Sequence, residues 1–379
     1  MATPFSEIFE RIKNEEIRDG ATDSATENKY KGRVNQLYRF DIPVKYDYPF
    51  LSKEMTAISL TASYSTGTIA IALATPTVVA GTDTVWTTAH TGQKIKIDGN
   101  DEIYTFTRTG ATAGTISPAF TGTTALTAST YTIFQDKYSL DADFMRINKP
   151  TGIYYYDNGQ ICDVDLDTEE EFFSRRTWTP NSRLSSIYIP EDEVDSSGYR
   201  VMRINAPVSA SMVLHGKYVY IPEELTEYTG STVKTLANAG TAVTLNAGDA
   251  KTYSEVNSAK TYYFRVDGDG TGSASVWYKI ASFATATTFT LSTAYAGTAI
   301  SRGTSAYTIS MLPDWPEFAL PILIYGGCML SSIEQDNITQ TQSYATLFKV
   351  TTENISAMYV RNRKDQRIKS MYEGRARYA

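Results

Sequence analysis

Apolar and polar residues alternate in short runs through most of this chain, and helical spacing is concentrated near its two ends. A helix is predicted over residues 3–18, where Pro4 suits the first helical position and the apolar residues share one face. That face consists of Phe5, Ile8, Phe9 and Ile12. Near the other end, Asp314 is predicted to cap a helix running towards Ile333, and another helix is predicted from about Thr341.

Between these helices, the period of two predicts many short strands. Residues 34–60 are predicted to be strand-like, because Leu37–Ile42 alternates and prolines interrupt the segment. Further strands are predicted at Phe144–Ile147, Gly152–Tyr156, Gln160–Leu166, Ser185–Ile189, Tyr199–Ile204 and Ser211–Tyr220. Single helical turns are predicted at Glu169–Phe173 and Pro190–Val194.

One sequence pattern occurs twice. The first copy contains Ile95–Gly99, Thr115–Thr123 and Tyr131–Ile133, and the second contains Phe264–Gly268, Thr290–Thr298 and Tyr307–Ile309. Both copies lie in segments that are rich in Thr, Ala and Gly and poor in helix formers. Each segment is therefore predicted to be a small antiparallel β module, a sandwich or barrel.

The predicted fold class is α+β, with helices from both termini packed on a central strand-rich body that carries two inserted β modules. Such insertions cost little closure entropy when the chain enters and leaves a module at adjacent points. The predicted segments are 1–62 (first core segment), 63–135 (first β module), 136–228 (second core segment), 229–311 (second β module) and 312–379 (third core segment).

Composition narrows the class of protein. The chain has 379 residues and a formal net charge of −7, which gives no global reason to expect nucleic acid or an anionic membrane as a partner. We expect a soluble protein made in a cytoplasm, since neither a signal peptide nor an apolar run of about 18–20 residues is visible. Cys162 and Cys328 are predicted to be free buried thiols, with a disulfide between them as the alternative.

Two acidic motifs could bind a hard cation through oxygen ligands. Asp163–Glu171 departs from the calcium-loop pattern and equally fits a solvated strand face that leads into a helix, which is the favoured interpretation. Asp267–Gly272 also departs from that pattern, and its counterpart Asp98–Asp101 is typical of a hairpin turn. We therefore predict no metal site and no cofactor.

Catalytic candidates are few, because general acid–base chemistry needs a group that titrates near neutral pH. The chain has two histidines, His90 and His215, and neither accompanies a recognisable nucleophile motif. A hydrolase with paired carboxylates, such as Asp165 and Glu170, stays open as a rival, but such pairs occur in any acidic loop. We predict that the protein is not an enzyme.

Residues 361–379 form a basic tail, with seven Lys or Arg against two acids. One interpretation is a solvated helix end, where cations favour the helix dipole. The other is a docking segment for an acidic groove or for DNA phosphates. The sequence leaves both open.

Taken together, the layout resembles the head-to-tail adaptor proteins of short-tailed bacteriophages. The resemblance depends on the N-terminal helix Phe5–Ile17, the strand-rich body, and the motif Leu312–Phe318 (Leu-Pro-Asp-Trp-Pro-Glu-Phe), which opens a helical pair ending in the basic tail. The two Thr/Gly-rich modules resemble the Ig-like decorations of virion proteins.

This resemblance implies a structural virion protein at the head–tail interface. It implies a ring homo-oligomer, with a dodecamer expected, that binds the portal protein, carries nozzle or fibre proteins, extends the DNA channel with non-specific DNA contact, and touches no membrane. The portal-docking residues implied are Tyr344, Leu347, Phe348, Ile355, Met358, Tyr359, Arg361, Arg363, Lys364, Arg367, Lys369, Arg375 and Arg377.

A tail-fibre or receptor-binding protein is the alternative. In that case exposed aromatic residues of the β modules would contact the host surface, and the candidates are Trp86, Phe120, Trp277 and Tyr295. Fibres usually show heptads or β-helix repeats, which are not seen in this chain.

Overall fold

The computed structural model describes residues 3–16, 24–148, 152–230, 233–246, 260–266, 276–285, 287–300, 305–334 and 336–376, the last of these by backbone alone from residue 360. The described residues form two compact units, one of residues 1–51 and 221–379 and the other of residues 52–220. Helices and largely antiparallel sheets are both present, which confirms the predicted α+β class. No described helix is both long enough and apolar enough to span a membrane.

The helices lie mainly near the chain ends. They are α1 (Phe5–Glu16), α2 (Ser24–Gln36), α3 (Ile42–Lys45), α4 (Glu169–Arg175), α5 (Leu320–Glu334) and α6 (Ile338–Ala376). A short π-helical segment, Leu37–Asp41, joins α2 to α3, and a 3₁₀ turn, Glu317–Ala319, precedes α5.

The described strands form three sheets. The nine-stranded sheet contains β1 (Ser52–Glu54), β2 (Ile58–Leu60), β10 (Lys137–Ser139), β11 (Phe144–Ile147), β12 (Ile153–Asp157), β13 (Gln160–Leu166), β14 (Ser186–Tyr188), β15 (Val201–Ile204) and β16 (Met212–Tyr220). The first seven-stranded sheet contains β3 (Thr68–Ile71), β4 (Val78–Thr82), β5 (Lys94–Ile97), β6 (Ile103–Arg108), β7 (Ala113–Ser117), β8 (Leu126–Ser129) and β9 (Tyr131–Phe134). The second contains β17 (Glu227–Gly230), β18 (Val233–Leu236), β19 (Ala242–Leu245), β20 (Tyr262–Val266), β21 (Tyr278–Thr285), β22 (Thr288–Leu291) and β23 (Tyr307–Met311).

Two local predictions were wrong. Residues 34–45 are helical rather than strand-like, because the buried residues recur every three or four positions. These buried residues are Tyr30, Val34, Leu37, Tyr38 and Ile42. The segment Pro190–Val194 forms no helical turn, and Val194 instead bridges to Arg200.

In the unit of residues 1–51 and 221–379, α5 packs against α1, α2 and α6. Two glycines in the middle of α5 permit this close approach. A Cβ on Gly327 would lie 2.5 Å from Ile12, and one on Gly326 would lie 2.9 Å from Leu37 and 3.1 Å from Phe348. Both ends of the polypeptide therefore pack on one buried helix, α5.

In the unit of residues 52–220, β16 organises the nine-stranded sheet. It pairs antiparallel with β1, β2, β11 and β12, while β13 and β14 form a parallel pair. The core of this sheet and that of the first seven-stranded sheet are separate hydrophobic clusters.

The two seven-stranded sheets share most of their topology. The shared part covers six strands, with the order β9-β5-β6-β7-β4-β3 in the first sheet and β23-β20-β21-β22-β19-β18 in the second. The seventh strand differs, since β8 adds to β3 in the first sheet and β17 adds to β23 at the other end of the second. The repeated sequence units occupy equivalent strands, since Ile95–Gly99 begins on β5 and Phe264–Gly268 begins on β20. We call these sheets module 1 (residues 64–135) and module 2 (residues 227–311).

Each module is entered and left at adjacent points. The backbone of Tyr64 exchanges two hydrogen bonds with Ile133, and β17 pairs with β23 through Tyr228 and Ile309. The chain therefore arrives beside the strand by which it departs.

The compact units have boundaries other than the predicted segments. Residues 52–60 belong with 136–220, because β1 and β2 pair with β16, whereas residues 1–51 pack with the C-terminal helices and module 2. Whether the three predicted core segments act as one body stays a prediction.

Candidate functional site

Helix α6 is the candidate docking element, and the structure contains it as a single helix of 39 residues. At about 1.5 Å per residue it is about 58 Å long. All the predicted docking residues except Arg377, which lies outside the described residues, fall on this helix. Its first half packs on α5, and this contact decides which side chains are exposed.

One side of α6 faces its own unit. Ile355 is buried, and Tyr344, Phe348 and Tyr359 are half-buried. The ring of Tyr359 lies 6.3 Å from Phe50 and 6.4 Å from Phe318. These residues stabilise the unit itself, so any docking role for them is additional to a structural one.

Beside this packed side, α6 exposes three apolar side chains, Leu347, Val350 and Met358, which we call the apolar stripe. From Ile338 to Met358 only Lys349 and Glu353 are charged, and they pair weakly with each other at 3.9 Å. An exposed helix face with so little charge has the composition of a protein interface core. Val350 was missed by the sequence analysis, although it lies three residues after Leu347 on the same side.

The basic end of the helix follows directly. Residues Arg361, Arg363, Lys364, Arg367, Lys369 and Arg375 belong to α6 by their backbone. Of these, Arg375 lies in the last turn of α6, where a cation interacts favourably with the helix dipole. The prediction that these side chains bind the portal or DNA stays a prediction.

The motif Leu312–Phe318 builds an aromatic cluster beside α6. Trp315 is buried, with its ring 4.9 Å from Tyr38 and 5.6 Å from Phe50. Asp314 does not cap the following helix as predicted; its carboxylate accepts a hydrogen bond from Lys260 at 2.7 Å. The motif therefore packs residues 38–50 against the start of α5.

The acidic segment Asp163–Glu171 is divided between a strand and a helix start. Asp163 and Asp165 are exposed on β13, while Asp167 is buried and accepts hydrogen bonds from Arg175 and Ser186. Thr168 caps α4 in a reciprocal box with Glu171, and hydrogen bonds from Thr168 hold the pKa of that carboxyl below its usual value. Within the described ranges, no three His, Cys, Asp or Glu residues are grouped to hold a metal ion.

The other candidate motifs have structural roles or are not described. Asp98–Asp101 forms the turn between β5 and β6, with Gly99 at a φ of 80°. Asp267–Gly272 lies outside the described residues. Cys162 and Cys328 are both free thiols, as predicted.

The two histidines are packed against aromatic rings. His90 lies 4.7 Å from Tyr64, and its Nδ1 accepts a hydrogen bond from the Thr87 N–H. Burial, with the nearby Arg108 charge, lowers the pKa of His90. His215 stacks on Tyr154 at 5.8 Å and meets Tyr156 edge-on at 5.7 Å.

The aromatic residues of the fibre alternative are mostly in the module cores. Trp86, Phe120 and Tyr295 are buried. Trp277 is half-buried, with the Arg265 guanidinium 4.7 Å from its ring centroid. The prediction that Trp86, Phe120 and Tyr295 are exposed was wrong, because they fill the curled sheets from inside.

The chain matches no protein-family model and no curated protein. Among solved structures it is weakly similar to the translation elongation factor SelB from Methanococcus maripaludis in its apo form, at 10% identity over 70% of this chain and 64% of that chain. The TM-score of 0.15 is too low to indicate a shared fold.

Proposed function

We propose that the protein is a structural virion protein, a head-to-tail adaptor that forms a ring between a phage portal and the tail nozzle or fibres. The observation that carries the proposal is α6, a long helix with one side packed on its own unit, an uncharged apolar stripe exposed beside that side, and a basic end. A ring closes through a contact between different surfaces of neighbouring copies. A helix that packs on its own unit and also exposes an apolar stripe can supply one of those surfaces.

The arrangement of the rest of the chain supports an assembly role. Both chain ends pack on α5, which leaves the two β modules as accessory parts. Tyrosines that suit interfaces are exposed at Tyr156 on the nine-stranded sheet and at Tyr199 just before β15. We extend the proposal to Ig-like modules, a dodecameric ring, a virion location and non-specific contact of the basic end with channel DNA.

The test uses the full chain and purified portal rings. Native mass spectrometry should give a ring of the chain alone or on the portal, and deletion of residues 361–379 should abolish recovery on portal rings. Leu347→Glu should reduce recovery at least tenfold, since it places a charge in the apolar stripe.

Gln342→Glu is the matched control, because it adds the same charge to an exposed position of α6 outside the stripe. It should leave recovery unchanged. A stable trimer would instead support the fibre alternative, and full recovery of the deletion variant would refute the docking role of the basic end.

A further inference from the structure

Strand β10 has an open edge in the unit of residues 52–220. It pairs with β15 on one side, where the Ile204 N–H donates to the Asp136 carbonyl and the Leu140 N–H donates to the Arg200 carbonyl. Backbone groups alternate in direction along an antiparallel strand. The N–H and C=O groups of Lys137 and Ser139 therefore point away from β15.

This open edge keeps unused hydrogen-bonding groups. The Lys137 carbonyl accepts from the Gln135 side-chain amide at 2.7 Å. No residue of the described chain accepts from the Lys137 or Ser139 N–H, or donates to the Ser139 carbonyl. An unpaired strand edge of this kind is a template for another strand.

Two clefts adjoin the edge, one at each end, and Gln135 lines both. The larger cleft, of about 460 Å³, has Lys94 and Thr105 in its opposite wall. The smaller, of about 260 Å³, is lined by Thr56 and Ile58 beside Tyr138 and Leu140. An extended segment along the edge would therefore have room for its side chains.

The larger cleft carries an uncompensated positive charge. The Lys94 ammonium donates to the Thr105 hydroxyl at 2.9 Å and has no carboxylate partner among the described residues. Asp136 is the acid in the cleft wall, and it is bound to Arg176 at 2.8 Å. A carboxylate entering the cleft would be the natural partner of Lys94.

We propose that β10 receives an extended peptide of a partner protein by strand addition, with an acidic side chain of that peptide bound by Lys94. Main-chain hydrogen bonds to Lys137 and Ser139 supply the affinity, and the two clefts supply the selection of an acidic and an apolar side chain. The site uses no residue of α6, so it is independent of the proposed adaptor function.

The probe is a displayed library of random dodecapeptides selected on the full chain. We expect enrichment of peptides with an acidic residue, and slower amide exchange of Lys137 and Ser139 when they bind. Lys94→Glu should weaken binding at least tenfold. Lys96→Glu, the matched control on the same face of β5, should not, because Lys96 lies outside the cleft.

A second variant tests the edge itself. Ser139→Pro removes an N–H that does not bond β15, and it should also weaken binding at least tenfold. If that variant fails to fold, N-methylation of alternate amides in the selected peptide replaces it. The proposal is overturned if no peptide is enriched, if exchange at Lys137 and Ser139 is unchanged on binding, or if Lys94→Glu keeps full affinity.

Discussion

Modules 1 and 2 share the order of six strands. At one equivalent position, however, they contact the rest of their units differently, by an aromatic contact in module 1 and by a hydrogen bond in module 2. In module 1 the residue after Ile133 is Phe134, which is buried with its ring 5.5 Å from Trp178. In module 2 the residue after Ile309 is Ser310, whose hydroxyl accepts a hydrogen bond from the Ser6 N–H at 2.9 Å.

Inside the modules the correspondence is closer. The Tyr104 hydroxyl accepts from the Thr121 N–H in module 1, and the Tyr278 hydroxyl accepts from the Ala296 N–H in module 2. This internal tyrosine contact is therefore common to both modules, while the position after Ile133 or Ile309 differs with what surrounds it. Five experiments test that division.

The largest effect is expected for Phe134→Ala. Removing a buried aromatic side chain costs about 3–5 kcal/mol, since a cavity opens beside Trp178. Native-state hydrogen exchange of the full chain should show faster opening at β9 and no change at β23. Phe134→Leu is the control and should recover most of the loss; equal exchange in both variants would show that Phe134 does not fasten module 1.

The next largest effect is expected where a small residue in one module corresponds to a large one in the other. A Cβ on Gly114 would lie 2.3 Å from the Phe106 ring, whereas module 2 has Phe289 and Ile280 at these positions. Gly114→Phe should destabilise module 1 by about 3 kcal/mol through overpacking.

Adding Phe106→Ile to that variant should recover at least half of the loss, because the pair then matches module 2. Urea unfolding of both single variants and the double variant measures the coupling. Simple additivity would mean that the two modules do not share a packing plan.

Ser310→Ala tests the fastening of module 2. The Ser6 N–H lies in the first turn of α1, where backbone N–H groups have no acceptor within the helix. Without the Ser310 hydroxyl it would lose its acceptor, at a cost of about 2 kcal/mol in the free energy of unfolding. Faster amide exchange in the first turn of α1 is the expected result. Ser292→Ala, at an exposed position of the same module, should leave that exchange unchanged.

The shared tyrosine contact predicts a smaller and nearly equal effect in both modules. Tyr104→Phe and Tyr278→Phe should each cost about 1 kcal/mol, the usual net value of one hydrogen bond. Exchange of the Thr121 and Ala296 amides reports each contact directly. A large cost in one module and none in the other would contradict a common internal design.

The smallest effect concerns acid, and it should separate the modules. The pKa of His90 is lowered, so folding favours neutral His90, and the stability that it contributes is present above about pH 6.5 and lost as pH falls through the folded pKa. Between pH 7 and pH 5 the free energy of local opening at the Thr87 amide should fall by up to about 1 kcal/mol, the value of one hydrogen bond. His90→Asn should remove that dependence, and no comparable change is expected at β23.

The repeated sequence was sufficient to predict two β modules, because Ile95–Gly99 and Phe264–Gly268 each combine strand alternation with a turn signal. It could not reveal how residues 52–60 pair, since their partner β16 begins about 150 residues later. The helical spacing of Tyr30, Val34, Leu37 and Tyr38 was present, but the local alternation of Leu37–Ile42 obscured it.

For the candidate site, the sequence predicted helix α6 but not which side of it is exposed. Apolar residues occur on both sides of the helix, so only the packing against α5 shows that Ile355 faces inward and Leu347 outward. Gly326 and Gly327 were an available signal for that packing, because two adjacent glycines inside a helix cost stability unless another element approaches closely.

The neighbouring ends of each module have a consequence for how a module could be exchanged. A segment whose first and last residues are hydrogen-bonded to each other can be spliced into a surface turn, copied elsewhere or removed in one genetic event, with no rethreading of the host fold. Tyr64 with Ile133 and Tyr228 with Ile309 are therefore the points at which each module could be removed or replaced while the path of the remaining chain stays the same.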